Sequence, residues 1–403
     1  MAGRRDAPAR TAYDVVIVGG AQMGASVAWW LTHEGFRGRV LVVDRDLAFE
    51  HATTSHTNSC IRQQFSTELN VRISQFGAAY VQDLRRWMGG DPRVPDLPIQ
   101  AYGYMYLAGS EAAAETLREN HAIQRAAGAG TRLMEPAQIA AEYPFYDLHG
   151  IVLGSHGTRD EGYFDGLAMG DWWRRQSRER GVEWIENEVA AIHRGGARVT
   201  GVSLRSGERI ACGTVVNATG PRAAVTAAMA GIHDLPVEPR RRFTWIFRAE
   251  RPLDRPLPLT IDPSGVHVRE NGGGTYLAGC RPHDDAPPAF DDFAMDPEIW
   301  EDHAWPLIAA RIPQFEALRL QAEWAGHYEY NHFDRNAVLG PHPEVEGFLF
   351  INGFSGHGLQ QSPAMGRGLA EWIVHGGFRT LDLSPFRFDR IPAGRPLVER
   401  AVI

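Results

Sequence analysis

Residues 13 to 46 read YDVVIVGGAQMGASVAWWLTHEGFRGRVLVVDRD, and this stretch restricts the fold more than any other. Val15, Val16, Ile17 and Val18 form an unbroken β-branched apolar run, the pattern of a strand covered on both faces. Gly19 and Gly20 end it. From Gly24 the text turns helical, with Ala25, Ser26 and Ala28 small enough to lie close on a sheet and Gly35 as a stop. A second apolar run, Val40 to Val43, closes on Asp44. Strand, glycine turn, helix, strand and acid in this order predict a βαβ unit that binds a dinucleotide. The pyrophosphate would sit at the helix N-terminus and Asp44 on the adenosine ribose. The glycine pattern is imperfect, because GGAQMG puts Ala21 where the second glycine of GxGxxG allows the closest approach. The alternative is a plain βαβ crossover with an exposed Asp44.

Composition narrows the chemistry. The 403 residues carry 41 basic and 49 acidic side chains for a net charge of -8, with the signs interleaved, which argues against a nucleic-acid partner. No lysine occurs, so every basic side chain counted is arginine, and Schiff-base, pyridoxal-phosphate and P-loop chemistry are excluded. Cys60, Cys212 and Cys280 lie far apart with neither disulfide nor zinc spacing, so no metal site is expected. MAGRRDAPAR leads into the first strand without the apolar core of a secretory signal, and the longest apolar runs fall well short of the ~20 residues that span a bilayer. A cytoplasmic protein without a transmembrane segment is the expectation.

Three distant stretches bear on the ligand. Residues 53 to 66, TTSHTNSCIRQQFS, form a hydroxyl- and amide-rich loop leading into a helix near Leu69 to Leu84. ARVTGVSLRSGERIACGTVVNATG alternates like a small antiparallel layer and ends in a second glycine turn. LFINGFSGHGLQQSPAMGRGLAEWIVHGG reads strand, glycine-rich turn, helix. On VVIVGGAQMGAS, VVDRD, TTSHTNSCIRQQFS, VVNATG and this tail motif the chain resembles the D-amino-acid oxidase-like FAD-dependent oxidoreductases, which include sarcosine oxidase, dimethylglycine dehydrogenase and glycine oxidase. WAGHYEYNHFDRNAVLGPHP, NGFSGHGLQQSPAMGRGLAE and TLDLSPFRF are most similar to the mitochondrial FAD-dependent oxidoreductase domain-containing family and its bacterial relatives.

The resemblance implies an α/β fold: a discontinuous glutathione-reductase-like Rossmann FAD domain with a mixed-sheet, α+β substrate domain. The FAD domain is expected from residues 11–90, 150–222 and 335–385, the substrate domain from 91–149 and 223–334, and 1–10 as a flexible N-terminus. Gly19, Gly20 and Gly24 match the pyrophosphate turn, Asp44 the ribose acid, Thr54 and Ser55 the loop beside the cofactor, and Gly220 the middle motif. Ala21, Gln22, Met23, Arg45, Cys60, Ile61, Val189, Ala218 and Thr219 are further cofactor candidates. Gly356, His357, Gly358, Leu359 and Gln360 match the segment lining the pyrimidine edge of the flavin, where a helix N-terminus stabilises negative charge.

The implied reaction oxidises an amino acid or secondary amine by hydride transfer to flavin N5, and the imine then hydrolyses. Arg62 matches an arginine that binds substrate carboxylate in sarcosine oxidases; equally, it is a structural arginine tying its loop to a carboxylate or carbonyl. Gln360 replaces a lysine of those oxidases. Arg240, Arg241 and Arg242 precede an alternating strand, with Arg269 and Arg281 as weaker candidates for the pocket wall. His327 stands where sarcosine oxidases attach FAD to a cysteine, so FAD is expected to be non-covalent, with His327 an attachment point, a polar wall residue or a structural histidine. Tyr328 and Tyr330 either frame the cavity or pack, and His357 flanks a backbone turn. Without the oxygen-activating lysine, a dehydrogenase or slow oxidase passing electrons to a quinone or protein acceptor is expected. Two other functions compete: an FAD-stabilised assembly or interaction protein, and a flavin 2-hydroxy-acid dehydrogenase.

Overall fold

A computed structural model describes residues 6–401. Val15–Val18 is a strand buried along its whole length and lies inside a six-stranded sheet. It pairs in parallel with Val40–Asp44 and Thr214–Asn217. Glu183–Glu186 extends the sheet beyond the first, and Phe348–Asn352 beyond the second, both parallel; antiparallel Val338–Pro341 closes the edge. Val15 and Ile17 point into a core shared with the helices Gln22–His33, Glu68–Gln82, Gly166–Glu179 and Gly358–His375. Val16 and Val18 point the other way, onto the three-stranded layer Val189–Gly195, Arg198–Leu204 and Arg209–Ala211 and the helix Ala223–Met229. Cover on both faces is why these strands are apolar without alternation.

Close packing of helices requires small side chains at the crossing. Ser26 Oγ donates to the Ser362 carbonyl at 2.7 Å, and a Cβ on Gly366 would lie 2.0 Å from that same Oγ. The first and last thirds of the chain therefore meet along one helix pair.

The second sheet has eight strands, in the order Leu318–Asn331, Val237–Ala249, Thr275–Cys280, His267–Gly272, Leu259–Ile261, Tyr104–Ala108, Leu153–Gly157, Arg132–Met134. Along Val237–Ala249 the side chains alternate. Phe243, Trp245 and Phe247 enter a core with Trp300 and Phe315, while Arg242 and Thr244 face a cavity between the two sheets.

Several expectations need correction. Leu153–Gly157 falls in a stretch assigned to the FAD domain, but it pairs with Tyr104–Ala108 and Arg132–Met134 and so belongs to the larger sheet. Residues 297–311 pack beside it, burying Ile299, Trp300, Ala304 and Ile308 against that sheet. Of residues 1–10, expected to be flexible, 1–5 lie outside the described residues; the Ala9 N–H donates to Glu183 at 2.6 Å and the Asp6 carbonyl accepts from Asn187 at 2.7 Å. Beyond residue 385 the chain returns to the six-stranded side. There Arg390 forms a buried pair with Asp334 at 2.6 Å, and Glu399 accepts from Ser66 and Asn70.

Candidate functional site

The cavity between the sheets has a volume of about 980 Å³. One end is built by the turn after Val18. Gly19 has φ +95, a left-handed conformation, and a Cβ there would lie 2.3 Å from the Ala218 carbonyl. Gly24 lets its helix settle on that turn, since a Cβ would come within 1.8 Å of the Gly19 carbonyl. Ala21 has φ -66, which any residue adopts, so alanine in place of the second motif glycine carries no backbone strain. Asp44 accepts the Gly20 N–H at 2.6 Å and the Asp46 N–H at 3.0 Å, and its burial raises the carboxyl pKa. Thr54 accepts the Gln22 N–H at 3.2 Å.

Among the predicted cofactor residues, Gly19, Ala21, Gln22, Met23, Asp44, Arg45, Thr54, Cys60, Val189, Ala218, Thr219 and Gly220 line the cavity. Gly20, Gly24, Ser55 and Ile61 do not. Gly20 and Gly24 act through backbone approach, the Ser55 hydroxyl donates to the Phe49 carbonyl at 2.5 Å, and Ile61 is part of the core.

At the other end the strand Phe348–Asn352 turns sharply into the helix Gly358–His375. Gly353, Ser355 and Gly356 have φ of +76, +48 and +91. The buried Glu329 holds this turn, its carboxyl accepting the Gly353 N–H at 2.8 Å and its carbonyl the Ser355 N–H at 2.9 Å. Burial pushes the Glu329 pKa up to about 8. His357, only 3% exposed, lines the cavity with neither ring nitrogen hydrogen bonded. Burial first, and the Arg62 charge second, lower its pKa to about 3, so the ring is neutral near pH 7.

The fold brings Arg62, His357 and Gln360 together on one wall. The contact between Arg62 and Gln360 runs through the Arg62 main chain, which donates to Gln360 Oε1 at 2.8 Å. The Arg62 guanidinium donates to the carbonyls of Gln64 and Ala401, each at 2.5 Å, and lies 4.0 Å over the Phe65 ring.

The eight-stranded sheet supplies the facing wall. Arg242, Tyr328 and Tyr330 line it, and Arg242 donates to Asp285 at 2.6 Å and to the Tyr328 hydroxyl at 2.5 Å. Arg240 pairs with Glu238 and lies 5.2 Å over Tyr330. Arg241, on the opposite face, pairs with Asp292. Arg269 donates to the Asn58 carbonyl at 3.0 Å and is off the cavity, whereas Arg281 lines it. The His327 ring stacks on Phe293 at 4.4 Å and its Nε2 meets the Asp292 carbonyl at 2.7 Å.

Sequence reading passed over Tyr104, His267, Asp285 and Glu329, all on the cavity wall. His267 meets Asn58 at 2.8 Å, and burial lowers its pKa to about 4. Strand alternation marks Glu329 as facing away from Tyr328 and Tyr330, which is the signal that it supports the turn behind them. Nothing local marks Asp285. Among the described residues no group of three or more His, Cys, Asp or Glu is gathered as a metal ion requires, and no helix is long and apolar enough to cross a membrane.

These residues fit an extended dinucleotide with a ring system. The glycine cradle and helix N-terminus suit a pyrophosphate, and buried, unpartnered Gln22 Oε1, Asn58 Oδ1 and both His357 nitrogens line the same cavity.

Comparison with known proteins agrees with this reading. The family described as FAD dependent oxidoreductase (DAO) matches residues 14–372. The chain is 37% identical over 424 residues to FAD-dependent oxidoreductase domain-containing protein 1 of Xenopus laevis, covering 97% of this chain and 85% of that protein. It is 25% identical to human mitochondrial sarcosine dehydrogenase over 92% of this chain, but spans 40% of that protein. The solved structure of L-proline dehydrogenase from P. horikoshii matches the fold with a TM-score of 0.82 at 24% identity, covering 95% of this chain and 98% of that one.

Proposed function

The chain belongs to the DAO family of FAD dependent oxidoreductases, and from that premise we propose that it oxidises the C–N bond of an amino acid or secondary amine, giving an imine that hydrolyses. FAD, the family's cofactor, supplies the hydride acceptor. One observation carries the reading: the groove beginning at Gly19 and Asp44 is continuous with a chamber walled by Arg242, Tyr328, His357 and Gln360. A carboxylate handle suits the arginine wall. The neutral His357 ring presents hydrogen-bonding nitrogens to the chamber without adding positive charge. With so low a pKa it is a poor proton store. Relatives named as sarcosine dehydrogenase and L-proline dehydrogenase act on substrates of this class.

In this reading Asp44, Arg45 and Val189 hold the adenosine side, and the turn 356–360 meets the flavin edge. Arg62 shapes that wall through its carbonyl contacts. FAD is bound without a covalent link, which the engagement of His327 by Phe293 and Asp292 supports. With no lysine to activate oxygen, electrons leave to a quinone or protein acceptor. Three free thiols suit a reducing cytosol; the mitochondrial relative makes the mitochondrion the rival location, and cell fractionation separates the two.

The test is anaerobic titration of the flavoprotein with N-methylated and unmodified amino acids, following flavin absorbance. Bleaching by a member of this panel is expected. Bleaching by 2-hydroxy acids alone would transfer the assignment to a hydroxy-acid dehydrogenase. Bleaching by neither, with a partner protein co-purifying, would transfer it to an assembly role.

A further inference from the structure

We propose that Asp285 is an internal stand-in for the substrate carboxylate, and that an anionic substrate binds by replacing it on Arg242 and releasing residues 281–296 as a lid. The inference rests on the cavity reading above and narrows the substrate class to compounds with a free carboxylate.

Arg242 Nη1 meets Asp285 Oδ1 at 2.6 Å and Nη2 meets Oδ2 at 3.3 Å, a two-point grip of the kind guanidinium gives carboxylates. The same Nη2 donates to the Tyr328 hydroxyl at 2.5 Å, and the guanidinium lies 4.5 Å over the Tyr328 ring. All three residues line the cavity. A carboxylate gripped by a guanidinium that the Tyr328 hydroxyl helps to hold is thus already present in the chamber, supplied by the protein.

The segment carrying Asp285 is built to come and go. Between Cys280 and Pro297 it has no helix or strand, so no backbone ladder holds it. It is pinned by side chains: Phe290 lies 4.3 Å beneath the Arg222 guanidinium, Phe293 stacks on His327, and Asp292 pairs with Arg241. Arg222 belongs to the six-stranded side and Arg241 to the eight-stranded sheet, so the segment bridges the cavity between them. The Asp285 side chain is 29% exposed, which lets an incoming carboxylate reach the pair and exchange one ion pair for another. Arg62 differs on this point. Its partners are two main-chain carbonyls that no ligand replaces on equal terms.

The test uses the FAD-loaded protein with benzoate as the carboxylate probe and benzamide as its uncharged counterpart. Chymotrypsin cleavage after Phe290 and Phe293 reports on the segment, and the flavin absorption change reports on binding. Benzoate, and not benzamide, is expected to accelerate cleavage at these two sites. Asp285→Asn is expected to be cleaved rapidly without ligand and to bind benzoate about tenfold more tightly, because the competing closed state is lost. Arg242→Leu is expected to retain FAD and lose benzoate binding. Cleavage indifferent to benzoate, or Asp285→Asn binding benzoate no more tightly, overturns the proposal. If no amine bleaches the flavin while benzoate still releases the segment, C–N oxidation falls and the exchange stands. If amines bleach it and Asp285→Asn behaves as wild type, the exchange alone falls.

Discussion

The backbone N–H of Arg62 donates to the side-chain Oε1 of Gln360, 298 residues away, at 2.8 Å. Both residues are buried on the cavity wall, so this bond joins the loop after the first βαβ unit to the start of the last long helix. Lysine, which the resembling oxidases carry at this position, has donors and no acceptor. Gln360→Lys should therefore orphan the Arg62 N–H and destabilise the protein by about 1–3 kcal/mol, with Gln360→Met costing a similar amount. Urea unfolding midpoints check this; a Gln360→Lys protein as stable as wild type would contradict it.

Gly24→Ala should remove FAD binding. A Cβ there would lie 1.8 Å from the Gly19 carbonyl, in the turn that carries the pyrophosphate site, and 3.2 Å from Ile17 Cγ2, in the strand before it. Backbone cannot yield as a flexible side chain does, so a loss of about 3 kcal/mol is expected. The ratio of flavin to protein absorbance after purification is the measurement.

Glu399 anchors the C-terminal segment whose Ala401 carbonyl caps Arg62. Its carboxylate accepts from the Ser66 N–H at 2.8 Å, the Ser66 hydroxyl at 2.6 Å and Asn70 at 2.8 Å. Glu399→Ala leaves buried donors unmet and should cost about 3 kcal/mol. Tryptic cleavage after Arg400 should become rapid, which a time course by mass spectrometry would detect.

His357 and Glu329 should give stability opposite slopes with pH. His357 falls from its ordinary 6.5 to about 3, so over that window the unfolded chain holds more protons and stability rises with pH. Glu329 climbs from 4.5 to about 8, so the folded chain holds more protons there and stability falls as pH rises. His357→Asn should lessen the acid-side loss and Glu329→Gln the alkaline-side loss. Denaturant midpoints at about pH 5 and about pH 8.5 separate the two limbs.

The βαβ unit was legible because its determinants are local. An apolar β-branched run, a glycine turn and a helix with small residues each act over a few neighbours, and Asp44 follows in register. The departure at Ala21 was legible as a departure, while its harmlessness depended on a φ that composition does not reveal. Leu153–Gly157 shows the limit for strands: its five residues, fixed only by partners at 104–108 and 132–134, contain no mark of which sheet they join.

The site divides the same way. Arg62, His357 and Gln360 were named from their motifs, and they do share a wall. Which groups their side chains would meet could not be read, because the Arg62 partner at Ala401 arrives from the far end of the chain and the Arg242 partner at Asp285 from an irregular segment. Backbone conformation follows from a residue and its near neighbours. The pairing of one guanidinium with one carboxylate or carbonyl among many follows from how two sheets and a returning tail enclose a common space, and that is a property of packing across hundreds of residues.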